Sequence, residues 1–310
     1  MPAAMDASMT SSRPRGRLWA WLVVTAAVAW VALRLEGGQQ PADDGASAVS
    51  GLVEYLPNNA PRQPARDAAA RFCALLLAEA DRKLAGVETV HAVFHKRERI
   101  GGQLQENNVM DLKVRRSPKS VYLRWQTPNA GREITWQEDA HDGQIVVRVG
   151  GWRQKIVPLL KIDPLSERAM QYSRRPVTSI GLWSFNARLR QFVDEDLAHG
   201  SWRTELREDA SLSARPCYCF TFHAAAGQAA EGLATVGDVH PPHQRVVIYV
   251  DKELGLPIAC ELYGWPTPAA PDVAPLEESY AFSDLELDRP LSDSDFDLTS
   301  EAAADVARKP

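Results

Sequence analysis

The sequence predicts an α+β protein that is mainly antiparallel β: a curved half-barrel sheet with one helix before it, a helical lid inserted into it, and a membrane-directed segment at its N-terminus. Three observations predict this. Segments of period-two alternation recur at hairpin intervals over most of the 310 residues, helical spacing holds at only a few places, and an apolar run follows a cluster of arginines near the start.

That first segment is the address. Arg13, Arg15 and Arg17 precede sixteen uncharged residues, Leu18 to Leu33, closed by Arg34. A bilayer core takes about 20 apolar residues and no fewer than about 17, so this run spans one if Arg17 and Arg34 snorkel toward the headgroups. The excess of arginine on the N-terminal side keeps that end in the cytoplasm and sends the remainder outward. Residues 1–17 therefore read as a basic cytoplasmic tail and 18–35 as a transmembrane signal-anchor. The expected location is the cell inner membrane, single-pass, with the C-terminal domain in the periplasm. Ala27-Val28-Ala29 fits a small-x-small cleavage site, and cleavage there would make the protein periplasmic instead. No cysteine follows the run before Cys73, which excludes a lipobox.

Residues 36–64, rich in Gly, Pro, Ala, Asn and Asp and without apolar period, read as a flexible linker. A domain over 65–300 follows. From Arg66 to Leu84, Phe72, Leu75, Leu76, Ala80 and Leu84 recur at helical spacing, and Gly86 stops the helix. Then the period becomes two. Met110, Leu112 and Val114 alternate with Asp111, Lys113 and Arg115, and Val121, Leu123 and Trp125 with Tyr122, Arg124 and Gln126; Ile145, Val147 and Val149 repeat the pattern. Gly101-Gly102, Ser117-Pro118, Pro128-Asn129-Ala130-Gly131, Asp142-Gly143 and Gly150-Gly151 punctuate them as hairpin turns. This is a meander rather than alternating strand and helix.

Two helical interruptions follow. Asp163-Pro164 suits the start of a short helix through Met170, and Thr178 can cap a longer one carrying Leu182, Trp183, Phe185, Leu189, Phe192 and Val193. Strands resume over Trp202–Arg207, Cys217–Phe222, Arg245–Val250, Ile258–Tyr263 and Glu278–Leu287, before a tail at 301–310 that reads as disordered. Eight or more antiparallel strands with one apolar face point to a single curved sheet wrapped around helices, with two packed sheets as the rival architecture.

A net charge of -5 and a pI near 5.9, with basic residues scattered among acids, lack the stripe that nucleic-acid binding needs. Cys73, Cys217, Cys219 and Cys260 are too few and too unevenly placed for a disulfide scaffold, and they read as buried small residues; a Cys219–Cys260 bridge requires neighbouring strands. His91 and His95 lie well apart along one strand, and His240 and His243 sit in a proline turn, so neither pair is expected to bind metal. Asp293, Asp295 and Asp297 resemble the opening of a calcium loop, but Leu298 and Ala304 occupy the positions of its glycine and glutamate; they are expected to flank a buried Phe296 in a final short strand. No nucleophile elbow, zinc-protease helix, phosphate loop or dinucleotide fingerprint occurs. The expectation is a protein that is not an enzyme, with no metal and no cofactor.

Lys96-Arg97-Glu98-Arg99, Arg115-Arg116 and Arg124 fall on strands that a meander brings together. They read first as a solvated face, with Glu98 and Asp111 pairing across, and otherwise as contacts for anionic headgroups or a partner protein. Arg97 and Arg99 are the candidates there. Gly131-Arg132-Glu133 adds Arg132, as a rim ion pair or a ligand clamp.

The runs Phe94-His-Lys-Arg-Glu-Arg-Ile100, Leu112-Lys-Val-Arg115, Pro118-Lys-Ser-Val-Tyr122, Ala130-Gly-Arg-Glu-Ile134 and Arg175-Pro-Val-Thr-Ser-Ile-Gly181 resemble a bacterial envelope family, the domain of unknown function DUF1571, over roughly Ala68 to Leu298. That resemblance implies no particular activity. Val247-Ile-Tyr-Val-Asp251, Leu256-Pro-Ile258, Glu261-Leu-Tyr263 and Tyr280-Ala-Phe-Ser-Asp-Leu285 are more distantly similar to the periplasmic lipoprotein carriers of the LolA and LolB type. This second resemblance implies an open half-barrel whose concave side holds acyl chains. The expected lining is Leu112, Leu123, Trp125 and Trp136 from the sheet with Trp183, Phe185, Leu189 and Phe192 from the inserted helix; the same residues would otherwise simply be core. The expected partner is a lipid or a lipidated protein, with a membrane contact through the N-terminal helix and no nucleic acid. The alternative is a non-catalytic envelope sensor or scaffold that binds a protein partner.

Overall fold

The first helix, α1, runs Arg66–Leu84 and turns its small and aliphatic residues inward. Ala69, Ala70, Cys73, Leu77, Ala80 and Leu84 are fully covered, whereas Leu75 is 67% exposed. The buried stripe is thus set by short side chains that let the helix approach its neighbours closely, and it is rotated away from Leu75. The Gly86 amide closes the helix end on the Lys83 carbonyl. In this computed structural model the described residues are 66–151, 159–199, 202–224, 243–268 and 270–299. The basic tail, the signal-anchor, the linker and the C-terminal tail expected from the sequence lie outside them. Among the described residues no helix is long and apolar enough to cross a membrane.

Twelve strands follow: β1 (Thr89–Ile100), β2 (Gln103–Leu104), β3 (Asn108–Arg115), β4 (Ser120–Thr127), β5 (Glu133–Gln137), β6 (Ile145–Arg148), β7 (Leu160–Ile162), β8 (Trp202–Leu212), β9 (Arg215–Ala224), β10 (Arg245–Asp251), β11 (Pro257–Tyr263) and β12 (Leu276–Leu287). They form one antiparallel sheet in the order β7-β6-β5-β4-β3-β1-β12-β11-β10-β9-β8, with β2 paired to β1. The sheet is a meander in two halves, joined where β12 returns beside β1. It does not close, and β7 and β8 are its edges among the described residues, which is consistent with the expected half-barrel.

Between β7 and β8 lies the helical insertion, with a short helix α2 (Glu167–Met170) and a long one, α3 (Leu182–His199). Both starts differ from expectation. Asp163 spends its carboxylate on the Leu165 amide, an Asx-type turn that delays the helix, so Ser166 caps α2 through the Ala169 amide. Thr178 sits in a 3-10 turn over Val177–Ser179, and α3 begins only after Gly181. There a φ of +130° favours glycine.

Helices α1 and α3 pack on the same face of the sheet. Asn186 Nδ2 donates to the Leu77 carbonyl at 3.0 Å, Trp183 Nε1 to the Leu84 carbonyl at 3.0 Å, and Arg190 pairs with Asp81. Between them and the sheet lies the main core, which includes Phe94, Met110, Val121, Phe185, Phe220, Phe222 and Ile248. A smaller apolar cluster forms on the opposite face, from Ala210, Leu212, Cys217, Cys219, Val247, Tyr249, Ile258, Ala259 and Ala281. The run Val246–Val250 is buried on both sides for this reason.

One further expectation is corrected here and one is met. Phe296 is fully buried as expected, but in a 3-10 turn, Asp293–Phe296, laid across the face opposite the helices. Its carbonyl accepts from Thr135 Oγ1 at 2.7 Å, and Lys113 and Arg115 pair with Asp295 and Asp293. All four cysteines are free and buried; Cys219 and Cys260 lie on β9 and β11, which β10 separates, so no bridge can form.

Candidate functional site

Alternation puts Val90, Ala92 and Phe94 of β1, Met110, Leu112 and Val114 of β3, and Val121, Leu123 and Trp125 of β4 on the helix-bearing face. Of the eight residues expected to line a concavity, Leu112, Leu123, Trp125, Trp136, Phe185 and Leu189 are buried in the one main core. Trp183 and Phe192 are half-buried against it; Phe192 makes edge contacts with Trp202 and Phe222 at 5.3 and 5.1 Å. The structure therefore brings all eight together on one face.

The polar end of that face is formed by Lys96 and Glu98, which the sequence places in a charged surface patch, and by Glu278 and Tyr280, to which it gives no role. Lys96 and Glu98 continue the parity of Phe94, and Glu278 and Tyr280 that of Phe282, so all four point inward with the core. Glu98 and Asp111 do not share one solvated face with the arginines as expected: Glu98 turns inward, and Asp111, on the other face, accepts from Gln126 Nε2. Instead Glu98 Oε1 accepts from the Tyr280 hydroxyl at 2.6 Å, and Oε2 from Lys96 Nζ at 3.1 Å and from the Arg174 amide at 3.0 Å. Glu278 Oε2 lies 2.9 Å from the same hydroxyl and accepts from Arg175 Nη2 at 3.1 Å. Lys96 also donates to Ser173 Oγ at 2.9 Å, and Arg174 pairs with Glu277 at 3.0 Å. Ser173, Arg174 and Arg175 belong to the insertion, so this network fastens the insertion across the sheet.

The charges follow from the packing. Burial acts to raise the Glu278 carboxyl, but Arg175, the Tyr280 hydroxyl and Arg174 outweigh it and hold it below the usual carboxylate range. Burial, with Glu98 and Glu278 beside it, pushes the Tyr280 phenol far above its ordinary value, so it stays a donor. Arg188 of α3 adds a further half-buried cation near Arg175, Glu278 and Tyr280.

The three candidate arginines separate by face. Arg97 and Arg99 point away from the helices: Arg97 Nε donates to the Gln105 carbonyl at 3.0 Å, and Arg99 to the carbonyls of Leu276 and Gly102, with an ion pair to Glu277 at 3.1 Å. Arg132 is on the helix-bearing side, its guanidinium 4.9 Å from the Trp125 ring centre. Trp125 is in turn fixed by donating Nε1 to Asn108 Oδ1 at 2.8 Å. The signal that could have found the polar end was parity: Lys96 and Glu98 are two and four residues beyond Phe94.

Among the described residues no group of three or more His, Cys, Asp or Glu is arranged to hold a metal ion. The sequence matches the model of the family described as protein of unknown function (DUF1571) over residues 87–304. The chain belongs to DUF1571. No curated protein matches it. Among solved structures, the DUF1571 chain is similar to a putative outer membrane lipoprotein-sorting protein domain from Vibrio parahaemolyticus, with 11% identity over 77% of this chain and 100% of that one at a TM-score of 0.34. Lipoprotein LppX of Mycobacterium tuberculosis matches at 10% identity over 70% of this chain and 97% of that one, TM-score 0.39. The Pseudomonas aeruginosa MucA/MucB complex matches at 17% identity over 75% of this chain and 62% of that one, TM-score 0.35.

Proposed function

We propose that the domain is a non-catalytic binding module that holds the acyl chain of a lipid or lipidated protein between the helix-bearing face of the sheet and the insertion. In this reading it works outside the cytoplasm, tethered through its N-terminal segment or released from it by cleavage. One observation carries the reading: the insertion that covers the apolar face is fastened at Ser173, Arg174 and Arg175 by hydrogen bonds and ion pairs. Polar fastenings exchange for water at a small net cost, about 0.5 to 1.5 kcal/mol per neutral hydrogen bond and about 1.5 to 3 where a charge takes part. Apolar packing has no such exchange partner. At Ser173–Arg175 a cover held this way can lift and admit a chain, while α3 stays packed through Leu182, Phe185, Leu189 and Val193.

The test is a fluorescent fatty-acid probe titrated into the full-length protein. Saturable binding, abolished by Leu123→Glu with circular dichroism unchanged, is the expected result, because a charge facing a cavity destroys the site by desolvation. A native protein that binds no probe, with a Leu123→Glu variant that unfolds, leaves a packed core and overturns the reading. A reporter active only in the periplasm, fused after Pro310, tests the location: its inactivity beside an active cytoplasmic reporter would reverse the assignment.

A second reading, a scaffold for an envelope protein partner, is favoured by two exposed apolar side chains on the same insertion, Leu165 at 71% and Tyr172 at 44%. A stable partner captured from membranes by the native chain but not by a Leu165→Asp, Tyr172→Asp variant would select it.

A further inference from the structure

We infer that Arg132, seated on the Trp125 indole at the polar end of the helix-bearing face, is the counter-charge for an anionic group, carboxylate or phosphate, carried by the acyl ligand. The inference rests on the acyl-binding reading above and names the other half of the ligand.

Its ground is a half-buried cation without an acceptor. A guanidinium carries five N–H donors and no acceptor, and it stays charged at any physiological pH. Arg97, Arg99, Arg148, Arg174 and Arg175 all spend theirs on carbonyls or carboxylates. Arg132, by contrast, makes no side-chain hydrogen bond and no ion pair among the described residues; its one partner is the face of Trp125. The adjacent acid, Glu133, is committed on the opposite face to the Tyr122 hydroxyl at 2.6 Å and to Arg148 at 2.9 Å. Arg188, also half-buried on this side, has the Arg175 cation near it as well as the Glu278 carboxylate. Removing a cation from water without a counter-charge is costly, and stacking on an indole offsets only part of that cost. Burial accordingly pulls the Arg132 guanidinium below its ordinary pKa, with the nearby Tyr172 phenol as the one opposing influence.

The position is also built rather than incidental. The Trp125 amide donates to the Arg132 carbonyl at 2.8 Å, the Gly131 amide to the Trp125 carbonyl at 2.9 Å, and the Arg132 amide to the Asn129 carbonyl at 3.0 Å, so the β4–β5 turn fixes one residue against the other. Gly150 lies flat on this turn: a Cβ there would stand 2.5 Å from the Ala130 carbonyl oxygen and 2.6 Å from the Arg132 nitrogen. From Trp125 the same face continues inward over Leu123, so an anion at Arg132 would leave its chain on the apolar surface.

The experiment compares dansyl-labelled undecanoic acid with its methyl ester at pH 7, on the full-length chain in mild detergent with protein-free micelles as blank. The acid should bind the native protein about tenfold or more tightly than the ester, the scale of a hydrogen bond to a charged group. Arg132→Met should bring the acid down to the affinity of the ester and leave the ester unchanged, and Arg132→Lys should retain part of the difference. Displacement of the probe by dodecyl phosphate and by dodecanoate separates the sources: stronger displacement by the phosphate assigns a phospholipid headgroup, by the carboxylate a free fatty acid. Equal binding of acid and ester by the native chain overturns the inference while leaving acyl binding intact, and it needs no variant to fold. Equal weakening of both probes by Arg132→Met also overturns it, since Arg132 would then act only by packing on Trp125. Binding of neither probe removes the acyl-binding reading itself.

Discussion

The Tyr280 hydroxyl lies 2.6 Å from Glu98 Oε1, joining β12 to β1 at the point where the insertion crosses the sheet. The same oxygen lies 2.9 Å from Glu278 Oε2. A phenol has a single proton, so it can satisfy one carboxylate at a time, and the second depends on the donors around it: the Lys96 ammonium and the Arg174 amide for Glu98, the Arg175 guanidinium for Glu278. Tyr280→Phe removes the one neutral donor from between two buried acids. The expected loss is about 1 to 3 kcal/mol of stability, read as a lower urea midpoint. An unchanged midpoint would show that those donors alone suffice.

Glu98→Gln tests the fastening of the insertion directly. It keeps the shape of the side chain but removes the charge that the Arg174 amide and Lys96 share. Hydrogen exchange at the Arg174 amide should accelerate by about tenfold or more relative to that at Phe94 in β1, as a local opening would produce. If both amides speed up in step, opening is global and the insertion is not a separable cover.

How far such features can be read in advance depends on whether they are local. The alternation in Met110–Arg115 maps onto the structure without change because β3 is covered by helices on one side only at those positions. Lys96 and Glu98 read as surface because their charge outweighs their parity in any hydropathy argument, and the partners that make their burial tolerable lie 76 and 77 residues away in the insertion. Nothing near Glu98 announces them. Leu75 misleads in the opposite sense: it fits a helical apolar stripe, but Cys73 and Leu77, shorter or better placed for close approach, take the buried side. The apolar parity of Leu112, Leu123 and Trp125 was legible from period; that the helix residues meet them on one face came from the carrier resemblance. Arg132 was legible as a residue of interest from its turn, but that among the described residues it meets only the face of Trp125 is a tertiary fact.

Gly150→Ala should be poorly tolerated. Its Cβ would press on the Ala130 carbonyl, the Arg132 amide nitrogen and the Gly131 carbonyl carbon at 2.5 to 2.8 Å, all backbone atoms that cannot swing aside. Overpacking of this kind costs about 1 to 3 kcal/mol. Gly102→Ala meets nothing within 4 Å, and its cost is confined to its positive φ of +81°, on the order of 1 kcal/mol. Urea melts of the two variants should rank Gly150→Ala as the more damaging; the reverse order would mean that the β4–β5 turn yields freely.

The pH dependence of stability should carry the mark of Asp295. Burial acts to raise its carboxyl, but Lys113, donating at 2.7 Å, and the amide and hydroxyl of Ser292 prevail and lower it from 3.8 to about 2. A carboxyl whose pKa is depressed on folding contributes stability that is fully present above its unfolded value and is lost as pH falls through its folded value. The window is therefore roughly pH 4 down to pH 2, and Glu278, also lowered, adds loss in the same direction. Because 27% of the Asp295 side chain and 31% of that of Lys113 remain exposed, solvent screening limits the contribution to about 1 kcal/mol. Asp295→Asn should lower stability at neutral pH by about that amount and flatten the profile between pH 4 and pH 2, so that native and variant converge at the acid end. Profiles that stay parallel across that window would show that Asp295 has no depressed pKa and that the Lys113 contact contributes nothing through charge.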